Sequence, residues 1–296
     1  IIIGPILGPI LGGWLTESAN WRWVFYVNLP VGLITLVLMW ALLPRTHTRE
    51  RKFDLFGFSM LGLGLAALQL MLDRGAQQDW FESAEIWIEL GVSVACLWMF
   101  LIHLLTAPVT LFNRKMLADR NLVMGMGFMI VIGVVMFSSM ALLPPMLQRL
   151  LGWPVIDTGL VLAVRGIGIL MSMWVAGRLL GKIDARWMVG SGLLIAAYSL
   201  YQMSQWSLMM GAGPVVVSGL VQGLGMGLIF IPLNTMAFAT IPMQFRTDGS
   251  SLLNLFRSMG ASVGISVVTT LLGSNTQTSH QDLVAHVTNS SVSLVD

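Results

Sequence analysis

The sequence predicts an all-α polytopic membrane protein with about nine transmembrane helices. Three observations carry this. First, 56 % of the 296 residues are hydrophobic and only 10 % are charged, with a mean hydropathy of +0.80. A soluble domain carries about 25 % charged residues. Second, apolar stretches of helix length recur along the whole chain, and a bilayer core of about 30 Å needs roughly 20 apolar residues per crossing. Third, basic residues alternate between successive loops, as the charge bias of cytoplasmic loops requires of a chain that crosses repeatedly.

The expected segments are 1–15, 23–43, 54–72, 86–106, 122–143, 157–178, 187–204, 213–240 and 249–273. The first would span only about 22 Å as a helix, less than the hydrocarbon core. The chain is therefore expected to be an internal stretch of a longer protein. This segment holds Gly4, Pro5, Gly8, Pro9, Gly12 and Gly13. In water such a run breaks a helix. In a membrane, small residues at i, i+4 let helices approach closely, and neighbours satisfy the freed carbonyls. The second segment follows Trp21-Arg22-Trp23 after a short loop. Segments three and four are joined by a loop bearing Asp73, Glu82 and Glu85, with Glu89 shallowly inserted; these acids read as a solvated face. Arg165 lies inside the sixth segment. The eighth is long and contains Pro232, where a kink or short unwound stretch is expected because proline lacks the donor for the preceding turn. The ninth contains Asn254 and Arg257. Residues 274–296 are rich in Ser, Thr, Asn and Gln and read as a polar loop. Asn289-Ser290-Ser291 in it fits a glycosylation acceptor by chance.

Orientation follows from the basic residues. One set of loops carries Arg45, Arg49, Arg51 and Lys52, then Arg114, Lys115 and Arg120, then Arg178, Lys182 and Arg186, then Arg246. The alternate set carries only Arg22, Arg74 and Arg149. This places residue 1 on the cytoplasmic side and residues 274–296 outside. Tryptophans agree: all but Trp98 lie near a segment end, as an interfacial aromatic belt requires.

Several function classes lack support. No GxxxxGK[ST] phosphate loop occurs, so ATP-driven work has no basis in this chain. No HExxH or CxxC occurs, and His47, His103, His280 and His286 are scattered, so no metal site is expected. The single cysteine, Cys96, cannot form an internal disulfide and reads as a small lipid- or core-facing residue. No catalytic residue, nucleic-acid partner or cofactor is expected.

Two runs then point to a family. Gly4-Pro5-Ile6-Leu7-Gly8-Pro9-Ile10-Leu11-Gly12-Gly13 resembles the fifth-helix antiporter motif of major facilitator drug exporters. With Trp21-Arg22-Trp23-Val24-Phe25-Tyr26-Val27-Asn28-Leu29-Pro30-Val31-Gly32 it resembles helices five and six of the fourteen-helix drug/proton antiporters, the EmrB/QacA type. Gly177, Arg178, Lys182, Asp184 and Arg186 resemble the degenerate second-half copy of the superfamily's cytoplasmic loop motif. Segments eight and nine resemble two later helices of the same family. The resemblance implies a major facilitator fold, incomplete, covering about helices five to thirteen. On that mapping residues 1–43 close the N-terminal half, 44–121 hold an inserted helix pair, 122–273 give five helices of the C-terminal half, and 274–296 form an external loop.

The resemblance implies a secondary exporter in a bacterial inner membrane. It would be driven by the proton gradient and expel amphipathic small molecules, including cationic drugs, by alternating access. A periplasmic adaptor and an outer-membrane channel are partners in such systems. The family's proton-coupling acids lie chiefly in helices this chain does not hold. Gly4, Pro5, Gly8, Pro9, Gly12 and Gly13 would form the conformational-switch helix. Arg165, Gln222, Asn234, Asn254 and Arg257 are the polar residues placed to line or gate a cavity. Each has a plainer reading as well: packing for the glycines, helix-to-helix bonding for the amides, snorkelling for the arginines. Two other functions stay open: export of a physiological solute such as a siderophore, metabolite or amino acid, and a non-transporting scaffold or receptor on the same architecture.

Overall fold

The computed structural model describes residues 4–42, 53–207 and 209–286. Among these it is helical, with α1 (Gly4–Ser18), α2 (Trp23–Tyr26), α3 (Asn28–Leu42), α4 (Leu55–Arg74), α5 (Ala84–Thr106), α6 (Arg114–Leu117), α7 (Arg120–Pro145), α8 (Val155–Leu179), α9 (Ala185–Ser204), α10 (Ala212–Ala237) and α11 (Arg246–His286). Each expected segment coincides with one long helix, α2 and α3 together forming the second. Among the described residues, seven spans are long and apolar enough to cross a membrane. The described part of α1 is too short for that standard, and α9 is interrupted by polar residues such as Ser191, Ser199 and Gln202. Helix starts are set by side-chain caps: Asp54, Ser83, Asn113 and Asp184 accept the first free N–H groups of α4, α5, α6 and α9.

Two local expectations need correction. The helix expected to break at Pro232 runs unbroken from Ala212 to Ala237. Pro232 is fully buried there, so packing on both sides holds the turn that lacks a hydrogen bond. The irregular turn falls elsewhere. Pro144 and Pro145 end α7, and a π turn follows over Met146–Leu150. Two consecutive prolines leave the carbonyls of the turn before them without donors, and the widened π turn follows directly after. Lastly, the polar stretch expected as a loop from residue 274 continues α11 as far as His286. It contains no proline. Extending an existing helix needs no new nucleus, and Thr276 and Thr278 bond back to Leu272 and Ser274. Arg45, Arg49, Arg51, Lys52 and the Asn289 acceptor lie outside the described residues.

The helices group into two compact units, α1–α3 with α8–α10, and α4–α6 with most of α7 and α11. In the first, α10 packs on both α8 and α9, and α1 packs on α8. No residue of α3 is buried; its apolar surface needs lipid or a further protein segment as cover.

In the second unit, α4 and α5 form a hairpin pinned at both ends. At one end Arg74 pairs with Glu85 and lies 3.7 Å from Glu89, whose side chain is only 11 % exposed. The acids read as a solvated face are thus partly engaged by this arginine. At the other end the buried Asp54 carboxylate accepts from the Gly57 N–H (2.9 Å), the Leu111 N–H (3.0 Å) and His103 Nε2 (2.9 Å). It joins the start of α4, the end of α5 and the segment leading to α6. Gln69 on α4 bonds both Asp73 and Ser262 of α11. Between α7 and α11, a Cβ at Gly133 would strike the Arg257 carbonyl, and one at Gly260 the Ile130 carbonyl.

The Asp54 cluster makes a stability prediction. Burial opposes the charge of Asp54, but the bonds from Gly57, His103 and Leu111 outweigh it and hold the carboxyl below its usual 3.8. A depressed carboxyl pKa stabilises the fold above the unfolded value and loses that contribution as pH falls through the folded value. Asp54→Ala should therefore cost about 1–3 kcal/mol at neutral pH, since it orphans donors that are otherwise satisfied. Thermal unfolding in detergent across pH 2–7 checks this: the difference from the parent protein should shrink below pH 4. A constant difference would refute the role of the charge.

Candidate functional site

The glycine-proline helix α1 meets α8 through bare backbone. A Cβ on Gly159 of α8 would collide with the Pro9 carbonyl oxygen, and one on Gly13 would lie 3.0 Å from the Val155 carbonyl oxygen and 3.1 Å from the Ile156 Cα. Gly13 is buried, while Gly8 and Gly12 have open space at their Cβ positions among the described residues. The stripe that touches α8 is therefore Pro9 and Gly13, not the Gly4-Gly8-Gly12 stripe. Gly4 and Pro5 belong to the first turn of α1, and their surroundings lie outside the described side chains. Gly159 is the partner that sequence reading did not single out. It stands in Thr158-Gly159-Leu160, with no repeat to mark it.

The α8–α10 seam extends the same principle. A Cβ on Gly168 would lie 2.5 Å from the Leu220 carbonyl oxygen and 3.1 Å from the Gly223 Cα; one on Gly223 would strike the Arg165 carbonyl, and one on Gly227 would strike Ser172 and the Ile169 carbonyl. Polar side chains are enclosed along it. Thr158, Arg165 and Ser172 sit at seven-residue intervals, on one face of α8, and are 2 %, 5 % and 2 % exposed. On α10, Ser218 and Gln222 are buried as completely. Ser172 Oγ donates to the Gly168 carbonyl (2.9 Å) and reaches the Gly223 carbonyl at 3.3 Å. Ser199 of α9 donates across to the Ser218 carbonyl at 2.7 Å. Arg165 and Gln222 both have partners. Gly219 opens room beside the Arg165 stem, with 4.0 Å between the added Cβ and that of Arg165. An intramembrane guanidinium is costly and turns to the bundle interior. Arg165 does so, and it can hold a carboxylate or phosphate by charge-assisted bonds.

The other polar residues differ. Asn234 spends its amide on the Phe230 carbonyl of its own helix (2.7 Å). Asn254 is exposed on α11, donates to Ser250 and accepts from Arg257 at 3.1 Å. Arg257 is half-buried. The structure thus brings Arg165 and Gln222 into the α8–α10 unit and places Asn254 and Arg257 in the other. The loop motif forms a tight turn: Gly181 takes φ +89°, a conformation that favours glycine, and Lys182 and Ile183 N–H groups return to the Leu179 carbonyl. Asp184 caps α9 through the Arg186 N–H at 3.0 Å. Arg178 stacks on Trp174 with 3.4 Å to the ring centre, and Gly177 faces open space.

The buried hydroxyls were not legible beforehand. Ser and Thr in helices can always bond their own turn, so only the facing helix reveals which ones bridge.

Comparison with known proteins agrees with this architecture. The profile described as Major Facilitator Superfamily matches residues 1–265. The Fatty acid resistance protein FarB of Neisseria gonorrhoeae is 33 % identical over 99 % of this chain and 58 % of its own length. The Multidrug export protein EmrB of Haemophilus influenzae is 32 % identical over 97 % of this chain and 57 % of its own. Its namesake in Escherichia coli is 30 % identical over the same shares. The chain spans somewhat more than half the length of these relatives.

The α1–α8 contact predicts an asymmetry between glycines. Gly159→Leu, made in the full-length parent, should lower stability in detergent by about 1–3 kcal/mol, because a side chain must wedge two backbones apart. Gly8→Leu should change it by less than about 0.5 kcal/mol, as substitutions away from packed features do. Equal losses in thermal unfolding would contradict the register described.

Proposed function

The chain belongs to the Major Facilitator Superfamily, a family of transporters rather than enzymes, and from that premise we propose that it is the central part of a secondary exporter of amphipathic small molecules. The exporter works by alternating access and is driven by the proton gradient, with no other cofactor. The observation that carries this reading is the backbone contact of α1 on α8. Two helices that meet closely through glycine and carbonyl groups can shift past one another with little side-chain rearrangement. The printed names of two relatives, multidrug export proteins, support the substrate class. The family supports an inner-membrane, multi-pass setting. The loop charges support a cytoplasmic residue 1 and an external C-terminal end. α4 and α5 are then the inserted pair between the halves. A periplasmic adaptor and an outer-membrane channel would complete the export route.

One observation favours a second cargo. Arg165 puts a fixed positive charge inside the α8–α10 unit, which suits an amphipathic anion, and one relative bears the name of a fatty acid resistance protein.

Everted vesicles of the full-length parent test both. They are energised, and collapse of the proton gradient is recorded as cationic drugs or long-chain fatty acids are added. Drug-dependent proton release that is lost in Gly159→Leu at equal expression supports the reading. Release by fatty acids alone, lost in Arg165→Gln, selects the anionic cargo. No response to either class in folded, inserted protein overturns the export reading.

A further inference from the structure

The second half of α8 buries Ser172 and Ala176 against its neighbours and turns Met171, Trp174, Val175 and Arg178 outward. Beside these residues runs an open groove of about 610 Å³, lined by Leu170, Met171, Met173, Trp174 and Val175 of α8 and Ile231 of α10. Its volume falls within the roughly 300–1,000 Å³ typical of small-ligand clefts. The lining is wholly apolar, and its two methionines can adapt to a flexible chain.

The groove has a charged end. Trp174 lines it, and the Arg178 guanidinium carbon lies over that indole, 3.4 Å from the ring centre. This contact holds the guanidinium at the groove's end, and among the described residues no hydrogen bond or ion pair engages it. Gly177 next to it has open space where a side chain would stand. Lys182 follows in the adjoining turn and Arg186 in the first turn of α9. The one acid there, Asp184, uses Oδ1 to cap α9. The turn therefore carries a positive excess beside the apolar trough.

An apolar trough that ends in a preorganised guanidinium matches one kind of molecule in a bilayer. A planar guanidinium pairs with phosphate oxygens through parallel N–H bonds, and basic pockets between membrane helices hold anionic headgroups. We propose that this groove binds one anionic phospholipid from the leaflet at the α8–α9 end, with an acyl chain along Leu170–Val175 and Ile231 and the phosphate on Arg178. Lys182 and Arg186 supply the surrounding positive field. The proposal does not rest on what the protein exports.

The test uses the full-length parent in nanodiscs doped with phosphatidylglycerol or phosphatidylcholine, each carrying a diazirine in the acyl chain. After irradiation, labelled residues are mapped by mass spectrometry. The expected result is labelling at residues 170–175 and 231, several-fold stronger from phosphatidylglycerol at equal doping. Arg178→Gln should bring that yield down to the phosphatidylcholine level, and Arg178→Lys should retain part of the excess. Melting curves separate misfolded variants, and the headgroup comparison in unaltered protein decides alone if Arg178→Gln is unstable. Equal labelling from both lipids overturns the proposal, as does an excess that survives Arg178→Gln. Absence of labelling from either lipid overturns it by showing that protein covers the groove. Displacement by free oleate, with labelling elsewhere unchanged, overturns it in favour of a cargo path.

Discussion

Contact between helices in lipid gains nothing from the hydrophobic effect, because lipid tails are as apolar as leucine. What remains is closeness, and α10 shows how this chain obtains it. Gly223 and Gly227 share one face and let α8 approach; Gly225, nearly opposite, lets α9 approach, with the Gly192 carbonyl 2.7 Å from where its Cβ would be. Each glycine costs about 1 kcal/mol of helix propensity against alanine. The cost is offset by carbonyls and Cα atoms at contact distance on both sides, where dispersion and weak C–H···O bonds accumulate. Once α10 holds α8, the positions of Arg165, Ser172 and the Pro9 contact follow, since all sit on α8 or against it.

Much of this was legible in the sequence. Length and apolarity placed every long helix, because the bilayer imposes one scale on all of them. Of the evenly spaced Gly219, Gly223 and Gly227, the last two form the close contact with α8, while Gly219 leaves room beside Arg165. The spacing in α1 was less informative. Gly4, Gly8 and Gly12 form one i, i+4 stripe, Pro9 and Gly13 another, and both fit close packing. Which one is used depends on Val155 and Gly159, far along the chain, and no period within α1 reports on them. Pro232 and Pro144-Pro145 teach the same lesson. Proline states that a donor is missing; neighbouring packing decides whether the helix bends, holds or widens.

The polar residues separate on burial. Spacing alone could not rank Arg165 above Arg257, since both lie inside apolar helices. In the folded chain Arg165 is 5 % exposed, while Arg257 is half-buried and bonded to an exposed Asn254. Removing a guanidinium from water is expensive, so a sequence keeps it at such a site only where it is compensated and used. Asn234 fails the same test, because its amide is spent on its own helix. Of the acids read as a solvated face, Asp73 and Glu82 are exposed, while Glu85 and Glu89 meet Arg74 across a helical hairpin, a partner that the local sequence does not report.

The Pro9–Gly159 contact has a mechanical consequence. Interlocked side chains are bistable only by whole rotamer jumps, and a packed core resists intermediate displacements. A carbonyl lying on a glycine Cα has no such ratchet. Its attraction is a weak C–H···O bond of about 0.5–1 kcal/mol, with a shallow dependence on register. Losing it by a small slide therefore costs little. The same residues bring the two backbones close together at Pro9–Gly159 and Gly13–Val155, which is why the glycine-proline helix is the element on which the transport reading rests.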